Sequence, residues 1–209
     1  MSLMHASSPH THAATSTGRI MGWVLLATLP GILVATFHFG WGVLINVLFA
    51  AVAGVILEAG VLRLRQRPLG MTLRDNSALV TGVLLGVSLP PFVPWWLILV
   101  GMVAAIVVAK HLFGGLGQNP FNPAMVGYAL LLIAFPVDMT QWAVPLGLFG
   151  ADAIAPGESL RHFLGLIAPT DAMTGATPLD AFKHKGETLL ASEFWAADPL
   201  PPGTLDAWH

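Results

Sequence analysis

Residues 20–39 read IMGWVLLATLPGILVATFHF, 20 consecutive positions without Lys, Arg, Asp or Glu. At roughly 1.5 Å per residue, a helix of that length crosses a hydrocarbon core of about 30 Å. Pro30 removes a backbone donor and favours a kink, which a membrane helix tolerates when its neighbours satisfy the freed carbonyl. Beyond this segment, Gly40, Trp41 and Gly42 make a turn, and a second apolar run extends from Val43 to Leu62. Further runs follow over Ser77 to Leu89, Leu97 to Ala109 and Ala124 to Phe135. The prediction is an all-α integral membrane protein with about five transmembrane helices, one or two of them short or broken, plus an extramembranous C-terminal segment.

Composition agrees with that reading. Of 209 residues, 55% are hydrophobic and 10% charged, with mean hydropathy +0.73, whereas a soluble domain carries roughly 25% charged residues. The net charge of -2 offers no basic surface for nucleic acid, and no Lys/Arg run is interleaved with stacking aromatics. With no cysteine, the chain can hold no iron–sulfur cluster through thiolates, so a redox role requires an organic cofactor. His5, His10 and His12 lie in a Ser/Thr/Ala-rich stretch with no carboxylate or cysteine to complete a metal shell, and they read as part of a mobile tail. That tail lacks the basic and apolar regions of a cleaved signal peptide.

Charge sets the expected orientation. Arg19, then Arg63, Arg65, Arg67 and Arg74, then Lys110 and His111, fall at alternate ends of the apolar runs, so all gather on one side. Positive charge marks the cytoplasmic side. Residues 1–18 are therefore expected as a cytoplasmic N-terminal tail, 19–135 as a transmembrane helix bundle and 136–209 as a periplasmic segment. All the acidic residues except Glu58 and Asp75 lie between Asp138 and Asp206. The stretch from Ala196 to His209, with Pro199, Pro201 and Pro202, is expected to be irregular.

Glu58 is the only charge within the second apolar run. A carboxylate at membrane depth points to an ion or proton path, but its place near the segment end favours a reach to headgroups or a pair with Arg63. The run from Ser77 has Gly82 and Gly86 at small-xxx-small spacing and ends at Pro90, Pro91 and Pro94. A half-helix lining a site and a tilted spanning helix packed on its neighbours both fit. Gly114 to Pro123 is too rich in breakers for helix. Between Asp171 and Asp180, the sequence Thr174-Gly-Ala-Thr177-Pro-Leu is a small and polar cluster that reads, by spacing alone, as a helix cap or turn. No P-loop, GxGxxG turn, nucleophile elbow or metal-ligand pair at helical spacing is present.

Three separated blocks carry a resemblance: His5-Ala-Ser-Ser-Pro-His-Thr-His12, Leu73-Arg-Asp-Asn-Ser-Ala-Leu79 and Gly114-Gly-Leu-Gly-Gln-Asn-Pro-Phe-Asn-Pro-Ala-Met125. Through them the chain resembles the NqrB/RnfD family over residues 1 to about 190, and within it RnfD, a membrane component of the Rnf ion-translocating electron-transport complex. In RnfD, and in the similar NqrB of the sodium-translocating NADH:quinone reductase, a threonine closing an S-x-A-T-like sequence carries FMN through a phosphoester bond. The matching stretch is Thr174-Gly-Ala-Thr177, so the resemblance places covalent FMN on Thr177, with Thr174 standing where the family usually has serine. It implies an external flavin transferase that lets the Thr177 hydroxyl attack the pyrophosphate of FAD and release AMP.

The resemblance further implies a bacterial inner-membrane complex moving electrons between ferredoxin and NAD, coupled to sodium or proton transport. The expected partners are the other membrane and peripheral Rnf subunits, the transferase and the lipid bilayer. Glu58 and Asn46 are the candidates for the coupling-ion route. That family continues with a second group of membrane helices, so the chain is expected to be a fragment, a truncated product or a split subunit. The alternative class is a non-redox membrane scaffold or transport protein, or an inactive remnant, in which Thr177 is only a loop residue.

Overall fold

A computed structural model of the chain describes residues 16–115, 117–145, 154–170, 173–175, 182–184 and 190–196. The five apolar runs are five helices: α1 (Thr17–Phe39), α2 (Trp41–Leu64), α4 (Ser77–Ser88), α5 (Trp95–Met102) continued by a π-helical stretch (Val103–Leu112), and α6 (Pro123–Ala134). Short helices lie between and after them: α3 (Leu69–Leu73), α7 (Pro136–Thr140), α8 (Pro156–Phe163) and α9 (Ala191–Ala196). Among the described residues there is no strand, only an isolated bridge between Ala143 and Thr174. The protein is an all-α integral membrane protein.

Three of these helices are long and apolar enough to cross a membrane: Thr17–Phe39, Trp41–Leu64 and Trp95–Leu112. The 12 residues of α4 and the 12 of α6 reach only about 18 Å at roughly 1.5 Å per residue, short of a core about 30 Å thick. Helix α4 is instead largely enclosed by protein, whereas α6 buries only the face of Ala124, Gly127 and Leu131 and leaves Met125, Leu130 and Ile133 exposed. Irregular backbone at membrane depth is tolerated only where it is buried in protein or lines a cavity. The turn after α4 meets that condition, since Leu89, Phe92 and Val93 are all nearly inaccessible.

Small residues let α2 and α4 meet backbone to backbone. A Cβ added at Gly82 would lie 2.5 Å from the Ala50 carbonyl oxygen, and one at Gly86 would lie 2.6 Å from the Val47 Cα. The glycines pack the helix against its neighbour, as the packed-helix reading expected, but the helix stops at the prolines inside the bundle and is too short to span. The core runs through Ala50, Leu85, Leu97, Ile98, Met102 and Leu131. Helix α1 packs on one narrow face through Ile32 and leaves Trp23, Leu26 and Leu33 exposed as apolar surface suited to lipid.

The segment after Pro136 is not detached from the bundle. Met139 and Phe163 join the main core, and Phe163 meets Phe49 of α2 edge to face with ring centroids 5.0 Å apart. At the same end, Phe92 meets His162, Trp96 meets Phe135 and Phe39 meets Trp142. The opposite end collects the basic residues, where Arg65 Nη1 donates to the His111 carbonyl over 2.9 Å and Asn76 Nδ2 donates to the Gly18 carbonyl over 3.3 Å. There the Asn122 side chain caps α6 by accepting from the Ala124 N–H at 3.0 Å, with Pro123 preset at the first helical position. Asn122→Ala is expected to destabilise the chain by about 1 kcal/mol, measured by thermal or denaturant unfolding in micelles.

The N-terminal histidines His5, His10 and His12, and the Pro-rich stretch past Ala196, lie outside the described residues.

Candidate functional site

Immediately after α7, residues 142–144 run antiparallel to residues 173–175. The Val144 N–H donates to the Met173 carbonyl and the Gly175 N–H to the Trp142 carbonyl, each over 3.1 Å. A Cβ on Gly175 would stand 2.7 Å from Val144 Cγ2, so the pairing needs a small residue there. Trp142 also abuts Phe39 at the end of α1, with ring centroids 5.7 Å apart. Thr174 and Gly175, the first half of the expected attachment motif, are thus held half-buried at the aromatic end of the bundle, away from the basic end. Thr177 itself lies outside the described residues.

The second concentration of chemistry is inside the bundle at the basic end. Glu58 is fully buried, and its two carboxylate oxygens accept from Lys110 Nζ at 2.6 and 2.8 Å. The third ammonium proton goes to Ser77 Oγ at 2.6 Å, so every Lys110 donor is used. Ser77 Oγ in turn donates to Asp75 Oδ1 over 2.5 Å, and the Ser77 N–H donates to the same oxygen over 2.7 Å. The order Glu58, Lys110, Ser77, Asp75 ties α2, the π-helical stretch and the start of α4 together. His111 Nε2 lies 3.6 Å from Glu58 Oε1, too far for a hydrogen bond.

This corrects the expectation for Glu58. It neither reaches headgroups nor pairs with Arg63, which is exposed; its partner is Lys110, 52 positions away. By sequence Lys110 is only one more cytoplasmic positive charge. The wide π-helical turns alter which residues share a face, and here they carry Lys110 and His111 inward. One signal points to the pairing: one apolar run holds a single charge, Glu58, near its cytoplasmic end, another is followed directly by Lys110 at the same end, and the signs are opposite. Beside the pair, Ser77, Thr81, Lys110 and Asn119 line a cleft of about 340 Å³ under the Gly-rich loop.

Asn46, the other ion-route candidate, is also fully buried, but at the far end of α2. Its Nδ2 donates to the Pro90 carbonyl over 2.8 Å, while its Oδ1 has no partner among the described residues. Glu58 and Asn46 are therefore not one site; 12 positions of helix separate them, about 18 Å at roughly 1.5 Å per residue.

Comparison with known proteins accords with this architecture. Residues 4–205 match the NQR2, RnfD, RnfE family. Among curated relatives, a protein of Erwinia tasmaniensis is 51% identical over 91% of this chain and 59% of its own length. One of Cellvibrio japonicus is 51% identical over 96% of this chain and 56% of its own. A third, of Marinobacter nauticus, is 54% identical over 88% and 53%. Each is named as the D component of an ion-translocating oxidoreductase complex. The chain spans somewhat more than half the length of these relatives. A match over nearly the whole chain, carried by proteins about half identical to it, makes this chain a member of the NQR2, RnfD, RnfE family.

Proposed function

We propose that the chain serves as a membrane subunit of an ion-translocating electron-transport complex and carries FMN on Thr177 through a phosphoester bond. The observation that carries this reading is its roughly 50% identity to proteins named as the D component of an ion-translocating oxidoreductase complex. Bound in that way, FMN would relay electrons between ferredoxin/NAD redox chemistry and sodium or proton transport. The chain's own contribution is to position the tether. The 142–144 and 173–175 pairing anchors the start of the motif on the bundle, and the small Gly175 lets it sit close against Val144.

Sidedness follows from charge. With the Arg-rich end in the cytoplasm, the aromatic end and the motif fall on the periplasmic face of a bacterial inner membrane. The partners are the remaining membrane and peripheral subunits of the complex, the flavin transferase and lipid. The Glu58–Lys110 pair supports an ionic role within the bundle, because a buried charge in a membrane domain is costly and marks ion or proton pathways.

In-gel flavin fluorescence of the chain expressed with its flavin transferase tests the anchor. A fluorescent band is expected for the native sequence and none for Thr177→Ala. A native chain that inserts stably yet stays dark, beside a labelled control substrate, would sink the redox reading and leave a membrane scaffold.

A further inference from the structure

Helix α2 finishes in a tight backbone cap crowded with arginine. The Gln66 N–H donates to the Arg63 carbonyl at 3.0 Å and the Arg67 N–H to the Leu62 carbonyl at 2.9 Å, with Gln66 in the left-handed conformation at φ 52°. Such a pair of bonds closes a helix and turns the chain back, so Arg67 returns over the same helix end that carries Arg63. Arg65, between them, is pinned by its bond to the His111 carbonyl. All three arginines are exposed, and among the described residues none meets a carboxylate. Before Asp138 the only acidic residues are Glu58, held by Lys110, and Asp75, held by Ser77.

The apolar surface of α2 runs straight into this cap. Val52, Ile56 and Leu64 are 57, 64 and 86% exposed along one face of the helix. Gly60, which completes their four-residue spacing, is exposed too, and nothing lies within 4 Å of a Cβ built on it. Glycine therefore leaves a notch in a lipid-facing strip, one turn before the span ends at Leu64. We infer that this arginine cap is a binding site for an anionic phospholipid, its phosphodiester held by Arg63 and Arg67 and an acyl chain laid in the notch at Gly60. The guanidinium group matches phosphate with a planar fork of donors, and basic groups at the ends of membrane helices select anionic headgroups. The level of the site favours a lipid over an acidic protein. The arginines stand where the hydrophobic span stops, and Leu64 among them is bare apolar surface that a lipid's own chains cover.

The site rests on α2 and the end of the π-helical stretch, so failure of flavin attachment at Thr177 leaves it standing. The test is lipid titration of the full chain in uncharged detergent micelles, read as melting temperature and, by native mass spectrometry, as retained lipid. Phosphatidylglycerol is expected to raise the melting temperature and to be retained, whereas phosphatidylcholine with the same chains does neither. Arg63→Gln/Arg67→Gln should melt like the native chain without lipid and weaken retention at least about tenfold. Arg74→Gln, at the end of α3, should retain the lipid as the native chain does. Gly60→Leu fills the notch and should weaken retention while leaving the lipid-free melt unchanged. No preference for phosphatidylglycerol overturns the inference. So does an equal loss in Arg74→Gln, which would make the attraction diffuse. An equal rise with glycerol 3-phosphate, or full retention by Gly60→Leu, would make this a site for free phosphate and overturns it as well.

Discussion

Lys110→Met is expected to destabilise the bundle by about 3–5 kcal/mol, the usual cost of breaking a buried ion pair by removing one partner. Glu58 has no solvent exposure, and Lys110 donates to both of its carboxylate oxygens. Without the ammonium, the carboxylate keeps its desolvation penalty and loses the interaction that offset it. His111 Nε2, at 3.6 Å, is not within hydrogen-bonding reach to replace it. The double variant Glu58→Leu/Lys110→Met removes both charges and is expected to recover most of the lost stability, since apolar replacements of buried pairs are often neutral or better. Unfolding in micelles by the two single variants and the double variant forms a cycle that isolates the pair. If the fold is restored while assembled-complex activity is not, the pair acts in ion movement; restoration of both makes it purely structural.

Gly86→Leu should be comparably damaging, by about 3 kcal/mol or more. Its first added atom would fall 2.6 Å from the Val47 Cα and 2.9 Å from the Asn46 carbonyl oxygen, and backbone atoms cannot rotate away as a side-chain tip can. The two helices would have to separate, opening the core around Ala50 and Leu85. Gly22→Leu on α1 is the control, because nothing lies within 4 Å of a Cβ built there. It should fold like the native chain, whereas Gly86→Leu should lose cooperative unfolding or melt far lower. Equal behaviour of the two would contradict the close α2–α4 contact.

The helices are legible in the sequence because membrane-spanning segments need only sustained apolarity, without amphipathic period. IMGWVLLATLPGILVATFHF declares a helix before any partner is known. The breakers Pro90, Pro91 and Pro94 likewise mark where α4 stops. What cannot be read is pairing across distance. Glu58 and Lys110 meet only because the bundle folds them together and the π-helical stretch turns Lys110 inward. Arg63, nearer in sequence, looks the better partner and is not.

Nor does the mixed polarity after Pro136 reveal that Met139 and Phe163 complete the core. Local composition there is that of a surface segment, and α8 buries only one face. Thr177 is legible in another way again. Spacing makes it an ordinary turn residue, and only resemblance to a family singles it out. The structure adds the pairing of Thr174 and Gly175 that holds the start of that motif.

Intact-protein mass spectrometry of the chain expressed with its flavin transferase, beside Thr177→Ala, tests the central claim most directly. The account predicts a mass gain of one FMN less one water on the native chain and none on the variant. A native chain of unmodified mass, while the same transferase labels a control substrate, would contradict it.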